Sequence, residues 1–208
     1  MGFGKFITLE GGEGVGKSTN IEFVSRYLKE NGKSVITTRE PGGTELGEKI
    51  RKILLDLKTG TISNETELLL IFAARAQHLQ QIILPSVRSG NWVLCDRFTD
   101  ASYAYQGGGR GINEVKIKGL ENWVQNGYSP DLTLLLDVPV DVGLERAGKR
   151  GALDRFEVEK RDFFDRVRQS YLSLSRRHPH RIKVINANRP LADVQADIAD
   201  CLNEILRP

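Results

Sequence analysis

The chain reads as an α/β protein with a five-stranded parallel sheet and helices on both faces. Two observations predict this. Short apolar segments bounded by charges or turn residues alternate with longer segments of helical periodicity. The first apolar segment also runs into a glycine-rich loop that opens a helix. The predicted strands are Lys5–Leu9, Ser34–Thr38, Trp92–Cys95, Leu132–Leu136 and Arg181–Ile185. Helical patterns lie at Ser18–Asn31, where Ile21, Val24 and Leu28 recur on one face, and at Glu45–Leu57 and Glu65–Val87. Further helical patterns follow at Asn113–Gln125, Asp141–Ala147, Val158–Ser175 and Leu191–Leu206. No repeat, low-complexity tract or linker divides the 208 residues, so one domain spanning 1–208 is expected.

Composition excludes several classes. Hydrophobic residues make up 39% and charged residues 27%, as in an ordinary globular protein. The net charge of +3, from 30 Lys+Arg and 27 Asp+Glu, is too balanced for a nucleic-acid or membrane surface. Its excess is local, in Arg146–Arg168 and Arg176–Arg181. Cys95 and Cys201 lack metal or redox spacing, and Cys95 reads as a buried thiol. The longest apolar stretch, Leu68–Ala74, is far too short to span a bilayer. Met1–Lys5 leads directly into the first strand with no room for a signal peptide, so a cytoplasmic location is expected.

Gly11-Gly12-Glu13-Gly14-Val15-Gly16-Lys17-Ser18 fits the phosphate-loop pattern G-x-x-x-x-G-K-[ST] in its required strand–loop–helix context. Glycines let successive backbone N–H groups turn inward as an anion nest, and the helix N-terminus adds partial positive charge. Lys17 can reach the β- and γ-phosphates, and the Ser18 hydroxyl suits Mg²⁺. The chain is expected to handle a nucleoside triphosphate.

Further residues cluster near predicted strand ends, where α/β sheets bind ligands. Asp96 closes an apolar strand and suits an acid that orders the Mg²⁺ shell, or else caps the next turn. Arg97 follows at once, with a planar fork that matches phosphate. Arg39, on the loop Thr38–Thr44, is either a solvated turn residue or a second guanidinium for a separate phosphate. Phe72, on a long apolar helix, either packs in the core or, with Arg75 three residues on, offers a ring face and a donor to one flat ligand. Ser102, Tyr105 and Gln106 supply hydroxyls and an amide ahead of the triple-glycine turn Gly107–Gly109. The basic, glycine-interrupted segment Arg146–Arg155 is either a solvated loop or a mobile flap over a phosphate site.

Thr38–Thr44 (TREPGGT), Phe72–Arg75 (FAAR), Asp96-Arg97-Phe98, Tyr105–Gly111 (YQGGGRG) and Arg150–Glu157 (RGALDRFE) resemble, in order, the motifs of bacterial thymidylate kinases. The resemblance covers nearly the whole chain. It implies a three-layer P-loop nucleoside monophosphate kinase fold with a short lid at about 146–157. It implies transfer of the γ-phosphate of ATP to dTMP with Mg²⁺, giving dTDP and ADP in dTTP synthesis. Carried onto matching positions, it makes Gly11, Gly12, Glu13, Gly14, Val15, Gly16, Lys17, Ser18 and Thr19 the ATP site. Ser18 and Asp96 would serve the metal. Arg39 and Arg97 would hold the dTMP phosphate, Phe72 would stack on thymine, and Arg75, Ser102 and Gln106 would read the base. Tyr105 would crowd the sugar 2′ position, and Glu13 would approach the 3′-hydroxyl. Lys17, Glu13, Arg97 and Arg150 would be the catalytic set. The partners implied are dTMP, ATP and a second copy of the chain, with no nucleic acid or membrane.

Some members carry an arginine inside the phosphate loop. Here that place is Gly14, so the chain resembles the type that draws its arginine from the lid, chiefly Arg150, with Lys149 and Arg146 as lesser contributors. Ala101 and Asn186 depart from the common pattern, where Ser and Asp are frequent. Phe72, Arg75, Tyr105 and Gln106 separate this reading from kinases of other monophosphates. The Asn-Lys-x-Asp run of guanine-specific switches is absent from the sequence.

Overall fold

A computed structural model describes residues 3–149, 155–157 and 159–207. Five parallel strands are ordered β2-β3-β1-β4-β5. They are β1 (Phe6–Glu10), β2 (Val35–Arg39), β3 (Trp92–Asp96), β4 (Leu132–Asp137) and β5 (Ile182–Asn186). Each predicted strand is present, shifted toward its carboxyl end by about one residue, so that Glu10, Arg39, Asp96, Asp137 and Asn186 all close strands at one edge.

Alternation along the buried strands sorts side chains to the two faces. Ile7 and Leu9 of β1, with Leu94, Leu134 and Leu136, pack against Val24 and Leu28 of α1 (Lys17–Glu30) and Val194, Ile198 and Leu202 of α9 (Leu191–Leu206). Phe6, Val93 and Cys95 face the other way, against Leu79, Ile83 and Phe98. Thr8 lies on that second face of β1, fully buried, and shares a 2.8 Å hydrogen bond with Thr133 Oγ1 of β4. Burial keeps the Cys95 thiol protonated, pushing it well above its ordinary range, with Glu40 adding to the effect.

Three helical regions differ from expectation. Glu45–Leu57 is helical only as α2 (Glu45–Leu55), because Asp56 leaves helical geometry and its side chain accepts from Lys58 N, starting a 3₁₀ turn. The segment Glu65–Val87 is interrupted. α3 (Asn64–His78) widens into a π-helical stretch (Leu79–Ile83) before α4 (Leu84–Arg88). Pro85 lacks an N–H and crowds the carbonyl four residues back, and the wider turn absorbs that mismatch.

The third difference concerns Gly107–Gly109, which form no turn. Following α5 (Thr99–Ser102), the π-helical stretch Tyr103–Gly109 carries them within a helical arm that precedes α6 (Glu114–Gln125). A Cβ on Gly109 would stand 2.4 Å from the Phe163 ring, and one on Gly108 2.7 Å from Ser170 Cβ. The glycines therefore let this arm approach α8 (Arg161–Arg177), the helix behind the site.

The helix α7 (Val140–Gly148) leads toward the predicted lid. Of that segment, Arg155–Glu157 lie against the rest of the molecule: Arg155 N bonds Leu55 O at 3.2 Å and Arg155 Nε bonds Leu54 O at 2.7 Å. Among the described residues no helix is long and apolar enough to cross a membrane.

Candidate active site

At the carboxyl edge of β1 and β3, where the strand order reverses, lies a cavity of about 340 Å³. Glu13–Ser18 form one wall. Arg39, Glu40, Pro41 and Arg51 form another, and Arg75, Asp96, Arg97, Ser102, Tyr105 and Gln106 complete the polar lining. Leu55, Ile71, Phe98 and Ala101 supply apolar surface, and Phe156 and Glu157 close over it from the lid side.

The loop adopts the backbone its glycines allow. Gly11, Gly14 and Gly16 have φ of 139°, 65° and 89°. At Gly14 a Cβ would also meet Gly143 O at 1.9 Å, so α7 packs directly on the loop and leaves no room for a side chain. Lys17 Nζ lies 3.3 Å from Gly12 O, held over the loop, and burial together with Arg97 lowers its pKa. Gly11 and Gly12 face a smaller pocket behind the loop instead of the main cavity, and Thr19 is exposed on α1 away from it.

Arg97 has φ 67°, a left-handed conformation costly for a side chain with a Cβ. Surrounding bonds hold it there. Its Nη1 donates to Gly11 O at 2.7 Å and Tyr171 Oη at 3.3 Å, its Nη2 donates to Glu13 Oε1 at 2.8 Å, and its guanidinium lies 4.7 Å from the Tyr105 ring centre. Tyr105 Oη donates to the same Glu13 oxygen at 2.9 Å. Behind them, Tyr171 Oη lies 2.7 Å from Oε2 of fully buried Glu10, whose Oε1 accepts from Phe98 N. Burial, reinforced by Asp100, raises the Glu10 carboxyl to about 8.

Next to Arg97, the carboxylate of Asp96 has Oδ1 buried without a hydrogen-bond partner. Arg39 lines the cavity while its fork pairs with Glu48, at 2.8 Å from Nη2 to Oε2. Arg51 Nη1 donates to Pro41 O at 3.1 Å, and burial plus the nearby Arg39 lower its pKa. Arg39, Arg51 and Arg97 thus bring three guanidinium groups to the cavity lining, Arg97 directly against the phosphate loop.

Arg75 is 1% exposed and nearly fully engaged. Its Nε donates to Glu40 Oε2 at 2.7 Å, and Nη2 donates to Phe98 O and Ser102 Oγ, both at 3.1 Å. Only Nη1 is buried without a partner. Gln106 Nε2 donates to Glu67 Oε1 at 2.8 Å, and Glu67 Oε2 also takes Arg155 Nη2 at 2.5 Å and Arg110 Nη2 at 3.2 Å. Glu67 is fully buried and ties the Gln106 amide to Arg155 on the lid side.

Phe72 packs in the core. Its ring is 2% exposed and does not line the cavity, because the Arg75 guanidinium itself sits 4.5 Å over the ring. Helical spacing places Ile71, four residues before Arg75, at the cavity wall instead. The ring face and the donor meet each other in this structure. Arg150 lies outside the described residues. Of the lesser lid cations, Lys149 pairs with Glu145 at 2.7 Å and Arg146 reaches Ala187 O at 3.4 Å.

Arg51, Glu40, Glu67 and Tyr171 were not singled out from sequence. Arg51 and Glu67 look like charged positions on ordinary amphipathic helices, and Tyr171 like core packing. Glu40 stood inside TREPGGT, where its neighbours drew the attention.

The thymidylate kinase family profile matches residues 9–198. A thymidylate kinase of Methylococcus capsulatus is 58% identical over 98% of this chain and 97% of its own length. One from Ectopseudomonas mendocina is 57% identical with the same coverage. The crystal structure of thymidylate kinase from Ehrlichia chaffeensis superposes with a TM-score of 0.79 at 32% identity, covering 98% of this chain and all of that one. The cavity, lined by a phosphate loop and by clustered arginines, sits in a chain that belongs to the thymidylate kinase family.

Proposed function

We propose that the cavity transfers the γ-phosphate of ATP to dTMP, giving ADP and dTDP. The observation that carries this reading is the division of one cavity into two anion-binding ends. Glu13–Ser18 offer backbone N–H groups and Lys17, while Arg39, Arg51 and Arg97 offer guanidinium groups for an acceptor that already bears a phosphate. Between them the two reacting groups would be held in line, which is most of what phosphoryl transfer asks of a protein.

Mg²⁺ fits the donor end. Asp96 Oδ1 is a buried oxygen lacking a partner, and the Ser18 hydroxyl lines the same cavity. Among the described residues no group of three or more His, Cys, Asp or Glu could cage a metal. This suits an ion held mainly by phosphates and water. When bound, Mg²⁺ would neutralise charge on the transferring phosphate.

For the base, Arg75 Nη1 presents donors only, suiting a carbonyl on the pyrimidine, with Ser102 and Gln106 beside it. Ile71 and Phe98, not Phe72, form the apolar surface the ring would meet. Tyr105 and Glu13, bonded to each other and to Arg97, stand where a sugar would link base and phosphate. Arg150 remains the proposed arginine finger. Arg155 is already committed to Glu67 and Leu54 O.

Leu69 on α3 and Val115 and Trp123 on α6 are 55%, 77% and 81% exposed, on helices that pack together. Their exposure supports a homodimer through this face. A cytoplasmic, single-domain enzyme completes the reading. ADP release measured with each monophosphate tests it. dTMP should be preferred, dUMP weaker by ~1–3 kcal/mol for the lost methyl, and ribonucleotides poor. Equal kcat/KM for dTMP and UMP would overturn the assignment.

A further inference from the structure

The proposed reading leaves unexplained a buried histidine directly behind the base-reading arginine. His78 closes α3 with 0% exposure, in a position where a purely apolar side chain would pack. Both ring nitrogens are bonded. Nδ1 lies 3.0 Å from Glu40 Oε1, and Nε2 lies 2.7 Å from Thr38 Oγ1. Glu40 spends its other oxygen on Arg75 Nε. Arg75 already balances the Glu40 charge. A carboxylate oxygen only accepts, so His78 Nδ1 donates to Glu40, while Nε2 and the Thr38 hydroxyl share the second bond. The packing is as tight as the bonding. Gly43 has φ 76°, and a Cβ there would stand 2.5 Å from His78 Nε2 and 2.6 Å from Thr38 Oγ1.

The chain of bonds therefore runs Thr38–His78–Glu40–Arg75 and ends at Nη1, the one nitrogen of Arg75 that is buried without a partner. Stacking between Phe72 and Phe98, at 4.5 and 5.0 Å, limits how the guanidinium can tilt, but does not fix its rotation in its own plane. The bonds from Glu40, Phe98 O and Ser102 do that. Of these, Glu40 is the only charged partner, and its own orientation depends on His78.

We propose that His78, seated by Thr38, is a positioning residue for acceptor selectivity: it locks Glu40, and through it aims Arg75 Nη1 at the base. The consequence rests on the dTMP reading above. A fixed, donor-only nitrogen accepts a pyrimidine carbonyl and rejects an amino group at the same place. A loosened one discriminates less, since it can turn away from the mismatched donor.

The test compares kcat and KM for dTMP, dCMP and ATP in the wild type and in His78→Asn, His78→Gln, His78→Leu and Thr38→Val. Asparagine keeps an amide donor near the Nδ1 position, whereas glutamine reaches only toward Thr38 and leucine keeps neither bond. In His78→Gln and His78→Leu the dTMP/dCMP ratio of kcat/KM should fall by about tenfold or more, as expected for loosening one charge-assisted hydrogen bond. The change should lie in the KM for the monophosphate, with kcat and the KM for ATP nearly unchanged. His78→Asn should retain most of the ratio. Should the glutamine and leucine variants fail to fold, Thr38→Val, which preserves shape, should still lower the ratio severalfold. An unchanged ratio in every soluble variant, or a loss in His78→Asn equal to that in His78→Leu, would overturn the proposal. A wild type that shows no preference for dTMP would instead overturn the reading on which it rests.

Discussion

The two ends of the cavity are built by opposite means. The donor end is six consecutive residues, Glu13–Ser18, and its chemistry resides mainly in backbone N–H groups held by two glycines of positive φ, Gly14 and Gly16. The acceptor end gathers side chains from β2, α2, α3, the turn after β3 and the helical arm beyond it. Those side chains are linked by buried ion pairs: Arg75 with Glu40, and Glu67 with Arg110 and Arg155. A contiguous loop can lose a side chain without unsettling the fold. A cross-linked set of buried charges ties selectivity to stability.

The largest effect should come from the acceptor side. Glu67→Ala removes a buried carboxylate shared by the Gln106 amide, by Arg110, which keeps Glu159, and by Arg155, which keeps Leu54 O, so it should cost about 3–5 kcal/mol of stability. Chemical denaturation measures this, and a loss below 1 kcal/mol would show that the cross-links carry little. Lys17→Ala should do the reverse, lowering kcat by ~10²–10³ as for loss of a preorganised transition-state donor, with Tm unchanged. A large drop in Tm would erase the distinction between the two ends. Next in size, Arg39→Ala and Arg51→Ala should each weaken dTMP by roughly 1.5–3 kcal/mol. The Arg39 effect should sit nearer the lower figure, because Glu48 competes for its fork. Calorimetric titration with dTMP checks both.

A pH-dependent effect concerns Glu10, which supports Arg97 from behind through Tyr171. Its native pKa of about 8 lies above the ordinary 4.5, so its protonated form is the one the fold favours. The stability it contributes is full below pH 4.5 and is lost as pH rises toward 8. Glu10→Gln cannot ionise. Its stability relative to wild type should therefore climb between pH 5 and 8, by at most about 1.4 kcal/mol per pH unit for one proton. A flat difference across that range would mean Glu10 is ionised throughout.

Legibility in the sequence follows the same division. All five strands and the donor loop were readable, because alternation and glycine spacing are local signals. Arg39, Arg97, Tyr105 and Gln106 were found through ordered motifs, and they do converge on one cavity. Spacing puts Phe72 and Arg75 on one helix face, but the guanidinium folding back over the Phe72 ring is a three-dimensional event the sequence does not carry. The glycines at 107–109 were read as a turn because composition cannot tell a flexible glycine from one packed against Phe163. His78, Glu40 and Glu67 were invisible for a related reason. Their partners lie 35 to 88 residues away in sequence, as with the Glu40–Arg75, Gln106–Glu67 and Arg155–Glu67 bonds.

The most direct test of the two-ended cavity is a crossed titration of dTMP and ATP, each alone, into wild type, Arg97→Ala and Lys17→Ala. Arg97→Ala should weaken dTMP by roughly 1.5–3 kcal/mol and leave ATP nearly unchanged, while Lys17→Ala should weaken ATP and leave dTMP nearly unchanged. Loss of ATP in Arg97→Ala together with loss of dTMP in Lys17→Ala would mean that the two ends have been assigned the wrong way round. An equal loss of both ligands in both variants would contradict the division itself.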